Sequence, residues 1–197
     1  AGTLTTAGNL VFQGRADGKL LAYNAKNGDI MWTFDTGLGI SAPPITYKIN
    51  GRQYLSILVG FGGGYSRGGL TSHKLGWSYR THTRRLLTFS LEGTAVMPAL
   101  PPPFFPKPLV DPNFEIDQTL AQQGAALYRK CSSCHGGGMY SGSMAPDLRA
   151  SPIAMAKEVF ASVVRDGAKN KMGMPSYPDI TDDELEYWKE QVEKIKN

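Results

Sequence analysis

Residues 97–108 read Met97-Pro98-Ala99-Leu100-Pro101-Pro102-Pro103-Phe104-Phe105-Pro106-Lys107-Pro108, and no other feature limits the fold of this chain so firmly. Proline fixes φ, lacks an amide donor and restricts the residue before it, so this stretch can enter neither a helix nor the middle of a sheet. It favours a stiff, extended path instead. The sequence therefore divides into a unit at 1–96, a Pro-rich linker at 97–116 and a unit at 117–197. Phe104 and Phe105 are expected to anchor the linker to a neighbouring unit, because aromatic side chains left in water cost solubility.

The first unit reads as β. It is rich in Gly, Thr and aromatics and shows no helical periodicity of useful length. Leu10-Val11-Phe12-Gln13 makes one strand, Ala16-Asp17-Gly18 a turn and 19–25 a second strand. Lys26-Asn27-Gly28-Asp29 is a tight-turn signal leading to a third strand of a meander at 30–36. Further strands are expected at 45–49, 53–59 and 85–91. About six strands are too few to close a barrel or propeller, so the unit alone leaves bare edges.

The last unit reads as helical. A first helix over 117–130 carries Leu120, Ala121, Leu127 and Tyr128, with the small Gly124 on the face of Tyr128. A second is expected to open at Ser151-Pro152, a capping residue followed by proline at the first helical position, and to run to Gly167. The third opens with Thr181-Asp182-Asp183-Glu184, a capping box, and continues with an apolar stripe of Leu185, Trp188, Val192 and Ile195. The net charge of +4 divides into +6 over 1–113, from 11 Lys and Arg against 5 Asp and Glu, and −2 over 114–197, from 10 against 12. The two parts would attract one another, although surface charge commonly has no partner and both sets being solvated is the simpler reading. Arg80, Arg84 and Arg85 cluster without any nucleic-acid-binding motif, so no nucleic-acid partner is expected. No apolar run approaches the ~20 residues that cross a bilayer, so no transmembrane segment is expected. The start at Ala1 suggests a fragment or a processed chain.

Cys131-Ser132-Ser133-Cys134-His135 has the spacing of a c-type haem attachment site. Two thiols one helical turn apart reach the two vinyl groups on one porphyrin edge, and the next residue brings its imidazole to the iron. A disulfide, a redox dithiol and half a zinc site are the other readings of such a pair. Zinc lacks a second Cys pair, and His73 and His82, placed as loop surface, lie far off in sequence. A dithiol lacks the β-α-β context that usually carries it. No His follows His135, so a methionine is the expected sixth ligand. Met139 and Met144 follow too closely and Met155 belongs to a packed helix, which leaves Lys171-Met172-Gly173-Met174-Pro175. Met174 is favoured because Pro175 stiffens the loop beside it, and Met172 remains the alternative.

Residues 117–197 resemble a class I cytochrome c. The resemblance implies that Gly124 and Tyr128 meet Leu185 and Trp188 where the first and last helices cross. It also implies that the carbonyl of Pro146, in Ala145-Pro146-Asp147-Leu148, holds His135 by its other ring nitrogen. The run from Ala16 to Trp32 resembles the tryptophan-docking motif of quinoprotein propellers, with Ala22, Gly28 and Trp32 matching, Asn24 in place of Asp and Asn27 in place of Thr. An ordinary meander with a core tryptophan is the simpler reading of that run. In order of parts, the whole chain is similar to the C-terminal end of a quinohaemoprotein alcohol dehydrogenase: the last blades of an eight-bladed β-propeller followed by an all-α cytochrome c domain.

That resemblance implies haem c in this chain, and pyrroloquinoline quinone with Ca2+ or a similar ion in the complete enzyme. It places Phe61 and Gly62 in the quinone's vicinity and implies that the catalytic residues lie in earlier blades, outside the chain. It further implies a missing N-terminal propeller portion as partner, an alcohol as substrate, and an external acceptor such as a small cytochrome, a copper protein or a quinone. A bacterial periplasmic location follows from the same resemblance. A second reading keeps only an electron-transfer module whose β portion is a non-catalytic interaction domain.

Overall fold

The computed structural model describes residues 2–60, 69–141 and 144–196. Strands occupy the part before the proline run and helices the part after it. The first sheet is an antiparallel meander of β1 (Thr3–Thr5), β2 (Leu10–Gly14), β3 (Lys19–Asn24) and β4 (Ile30–Asp35), in that order. The second is β5 (Ile45–Ile49), β6 (Arg52–Val59) and β7 (Arg85–Phe89), also antiparallel. All six strands expected from the sequence are present. The short β1 and a helix, α1 (Gly69–Lys74), are additions that no pattern announced.

The turn between β3 and β4 shows why Asn24 replaces an aspartate without loss. Its Oδ1 accepts from the Lys26 amide at 2.9 Å, as a carboxylate would, and the Gly28 amide returns to the Asn24 carbonyl at 2.9 Å. Gly28 sits at φ +80°, a conformation costly for any side chain. Trp32 pairs opposite Ala22 and reaches across to the second sheet, its ring 5.5 Å from that of Phe89, while Phe34 lies 4.9 Å from Phe89. Leu20, Leu38, Ile40, Leu55, Ile57, Val59 and Trp77 close a core between the sheets. Much apolar surface stays outside: Ile30, Met31, Ile45, Ile49, Leu58 and Leu86 are all more than half exposed.

The linker lies on the β portion. The Phe104 amide donates to the Gly76 carbonyl at 2.8 Å, and Arg85 donates to the carbonyls of Pro98 and Ala99. In the helical portion α2 (Gln118–Leu127) packs on α5 (Asp182–Lys196). Asp117 caps α2 by accepting the amides of Thr119 and Leu120, and its own amide donates to Glu190 on α5 at 2.9 Å. Gly124 lies directly on the Tyr187 carbonyl, leaving no room for a Cβ. The small residue therefore abuts the α5 backbone at Tyr187 and the Gln191 side chain, while Tyr128, Leu185 and Trp188 share the core alongside. The capping box of α5 forms in both directions, Glu184 amide to Thr181 Oγ1 and Thr181 amide to Glu184 Oε2.

The second helix departs from expectation. Pro152–Met155 is a short 3-10 turn, Ala156 is extended at φ −115° and ψ 110°, and α4 covers only Lys157–Val164. The break carries neither Gly nor Pro, so the sequence gives no warning of it.

Candidate haem-binding site

The attachment motif is folded before any ligand is considered. A 3-10 turn at Tyr128–Lys130 ends α2, and the single turn α3 (Ser132–His135) follows. The Cys134 and His135 amides both donate to the Cys131 carbonyl, at 3.0 and 2.9 Å, which sets the two cysteines one turn apart with His135 beside them. Gly136 stops the turn at φ +81°, and its carbonyl accepts the Tyr128 hydroxyl at 2.6 Å. Burial pushes the Tyr128 phenol well above its usual range, so it stays a donor. Both thiols are free, Cys131 buried and Cys134 half-buried. Among the described residues no group of three or more His, Cys, Asp or Glu is arranged to hold a metal ion, so the zinc reading finds no partners.

His135 is buried, and its Nδ1–H donates to the Pro146 carbonyl at 2.8 Å. That bond fixes the tautomer and leaves Nε2 as the lone-pair nitrogen. Nε2 has no hydrogen-bond partner among the described residues. Burial pushes the imidazole below its ordinary range, against smaller upward pulls from the Pro146 carbonyl and Asp147, so it is neutral at pH 7. The Cys131 thiol is pushed up to about 12, first by burial and then by Cys134 beside it. A thiol so reluctant to ionise makes a poor redox dithiol.

The two methionines at 172 and 174 differ in setting. Met172 closes a 3-10 turn at Asn170–Met172 and is 55% exposed, whereas Met174 packs against the cluster that holds Cys131, Tyr128, Leu185 and Trp188. Met139 is fully buried in that cluster at φ +64°, and Met155 ends a 3-10 turn at 42% exposure rather than packing in a helix. The residues present fit a haem. Cys131 and Met174 border one apolar cluster, His135 offers an unused nitrogen, and the Trp188 indole N–H is buried there with no acceptor among the described residues. The cluster thus has apolar walls, ligands and an unmet polar group, all of which a porphyrin can use.

Phe61 and Gly62, the residues assigned to the quinone's vicinity, lie outside the described residues. His82 is not loop surface: it is buried, its Nδ1 accepts from the Ser78 amide at 3.1 Å and its Nε2–H donates to the Pro101 carbonyl at 3.2 Å. His73 meets the helical portion, its ring 4.7 Å from that of Tyr140 and 6.0 Å from that of Phe105. A cleft of about 290 Å3 runs along this junction, with His73, Trp77 and Phe104 on one side and Pro146, Asp147 and Ser151 on the other. Sequence reasoning missed Tyr140, Asp147 and Arg149 here, since nothing in a loop Asp-x-Arg foretells that both charges are buried.

Two family models match the chain, one at each end. Residues 1–55 match the β-propeller domain of glucose, ethanol and alcohol dehydrogenases, and residues 119–187 match subunit III of cbb3-type cytochrome c oxidase, a cytochrome c domain. Over 201 residues the chain is 43% identical to the quinohemoprotein alcohol dehydrogenase ADH IIB of Pseudomonas putida, covering 99% of this chain and 27% of that protein. The chain corresponds to the C-terminal region of quinohaemoprotein alcohol dehydrogenases. Solved structures of this family agree. The ADHIIG enzyme of Pseudomonas putida HK5 superposes with a TM-score of 0.78 at 35% identity, over 100% of this chain and 28% of its own. The enzyme of Comamonas testosteroni gives 0.70 at 33%, over 98% and 27%. By these matches the β portion is the tail of a β-propeller and the helical portion a cytochrome c domain. The chain spans about a quarter of the length of these relatives.

Proposed function

We propose that this chain is the electron-transfer end of a PQQ-dependent alcohol dehydrogenase, carrying electrons one at a time from the quinone site of the complete enzyme to an external carrier. The observation that carries the reading is the α3 turn: two free thiols one turn apart, beside a buried neutral imidazole already fastened by Nδ1 and free at Nε2. Cys131 and Cys134 would hold the haem through thioethers, and His135 and Met174, the latter half-sheltered on the same cluster, would ligate its iron. Bound there, haem c supplies a one-electron ferric–ferrous couple. The polypeptide does the rest. Pro146 orients His135, the cluster around Leu185 and Trp188 excludes water, and neutral sulfur ligation by Met174 favours a raised reduction potential.

The alcohol, the quinone, its calcium or similar ion and the catalytic residues belong to earlier blades of the complete protein. The acceptor is a small cytochrome, a copper protein or a quinone outside it, and thioether attachment fits a bacterial periplasm. Among the described residues no helix is long and apolar enough to cross a membrane. The interaction-module reading gains no support from the comparisons, among whose relatives are alcohol dehydrogenases matched along 99% and 100% of this chain. The test is a pyridine haemochrome spectrum with a Met174→Ala and Met172→Ala pair. The reading predicts a c-type spectrum and loss of the sulfur-to-iron charge-transfer band in Met174→Ala alone. Loss of the band in Met172→Ala instead overturns the ligand choice, and no haemochrome at all overturns the function.

A further inference from the structure

The loop that holds His135 is itself held by a buried ion pair. Asp147 follows Pro146 directly, and its carboxylate takes three hydrogen bonds from Arg149: the amide at 3.0 Å, Nε at 3.1 Å and Nη2 at 2.7 Å. The two side chains are only 7% and 5% exposed. The Arg149 guanidinium stacks over the Tyr140 ring at 3.9 Å, and Tyr140 meets His73 of the β portion. From the linker, the Leu109 amide donates to the Arg149 carbonyl at 2.8 Å. Within the loop, the Ser141 hydroxyl donates to the Ala145 carbonyl. A continuous run of contacts therefore leads from His73 through Tyr140, Arg149 and Asp147 to Pro146, whose carbonyl lies 2.8 Å from His135 Nδ1.

Stability gives weak grounds for such a pair, because desolvating two charges offsets most of their attraction and apolar replacements often do as well. A fixed dipole beside an axial ligand has a more specific consequence. Oxidised iron carries one more positive charge than reduced iron, so an unbalanced carboxylate near the ligand favours the oxidised state and an unbalanced guanidinium the reduced one.

We propose that the Asp147–Arg149 pair is a positioning element for His135, fixing the Pro146 carbonyl on the imidazole and, through its balanced charge, setting the reduction potential of haem bound there while tying that loop to the β portion. This rests on the haem reading of the site. It adds two residues and a junction to the ligand set, and it gives Tyr140 and His73 the task of seating Arg149.

The test is spectroelectrochemical titration of the haem-loaded holoprotein in Asp147→Asn and Arg149→Gln forms. The pair model expects shifts of opposite sign: upward in Asp147→Asn and downward in Arg149→Gln, each about tenfold in the oxidised-to-reduced equilibrium, or about 59 mV for one electron. A merely structural salt bridge is broken equally by both changes, so shifts of the same sign, or none, overturn the proposal. Should either form fail to fold, Asp147→Glu and Arg149→Lys keep the charges: potentials close to the parent support the proposal, and shifts as large as tenfold overturn it. A parent protein without haem would sink the functional reading instead, and the pyridine haemochrome separates that failure from this one.

Discussion

The two portions of the chain meet the problem of burying apolar side chains in different ways. The helical portion closes on itself: α2 crosses α5 at Gly124, and Tyr128, Leu185, Trp188 and Val192 are buried in one cluster. The β portion does not. Its two sheets share a core through Leu20, Ile40 and Ile57, yet Ile30, Ile45 and Leu86 stand in solvent on β4, β5 and β7, whose outer edges have no partner among the described residues, and Leu58 does so on the central strand β6. A sheet with bare edges and an open apolar face needs a neighbour, and the chain spans about a quarter of the length of the curated relatives it matches. The difference teaches that the helical portion buries its own apolar cluster, while the β portion leaves apolar strand faces open for a neighbour, as the proposed reading of the chain as the end of a propeller expects.

The largest effect expected is at the attachment turn. Cys131→Ala with Cys134→Ala removes all covalently held haem, as read by haem staining of a denaturing gel, and leaves the β portion's fold unchanged by limited proteolysis. Damage to both portions would break the distinction between them. Next comes the helix crossing: Gly124→Leu forces a side chain into the Tyr187 carbonyl and should cost about 3 kcal/mol or more in urea unfolding of the helical portion. Little change would show that the crossing is looser than the contact implies.

Context dependence sharpens the comparison further. Leu58→Ser and Leu86→Ser should each cost less than about 0.5 kcal/mol in this chain alone, and about 1 kcal/mol or more in a longer protein if, as proposed, blade neighbours cover them there. Equal costs in both settings would argue against a covering blade.

The smallest effect is electrostatic. Arg165 Nη1 donates to Asp182 Oδ1 at 2.7 Å and holds that carboxyl below its usual range. A lowered folded-state pKa gives stability that is present above the unfolded value and fades as pH falls through the folded one, so the loss appears below about pH 4. Both groups are at the surface, and Arg165→Gln should flatten only a slight acid-side slope in thermal melts.

Much of this was legible in the sequence because it rests on local chemistry. The β2 to β4 meander announces itself through Asn-Gly and alternation, α5 through its capping box, and the attachment turn through two cysteines and a histidine at fixed spacing. The rest depends on distant partners. Ala156 breaks the helix expected at 151–167 with no proline or glycine at the break itself, His82 is buried by Ser78 and Pro101, and Asp147 and Arg149 are buried by one another and by Tyr140. Short α1 carries too few residues for a period, yet its His73 is where the β portion touches the loop behind His135.

The account stands on thioether attachment in the helical portion, and intact mass after full denaturation tests it most directly. The purified protein should keep one haem's mass on the chain through acid and organic solvent, with digestion placing it on the peptide that contains Cys131 and Cys134. A denatured chain of bare polypeptide mass, from a host that matures c-type cytochromes, would contradict it.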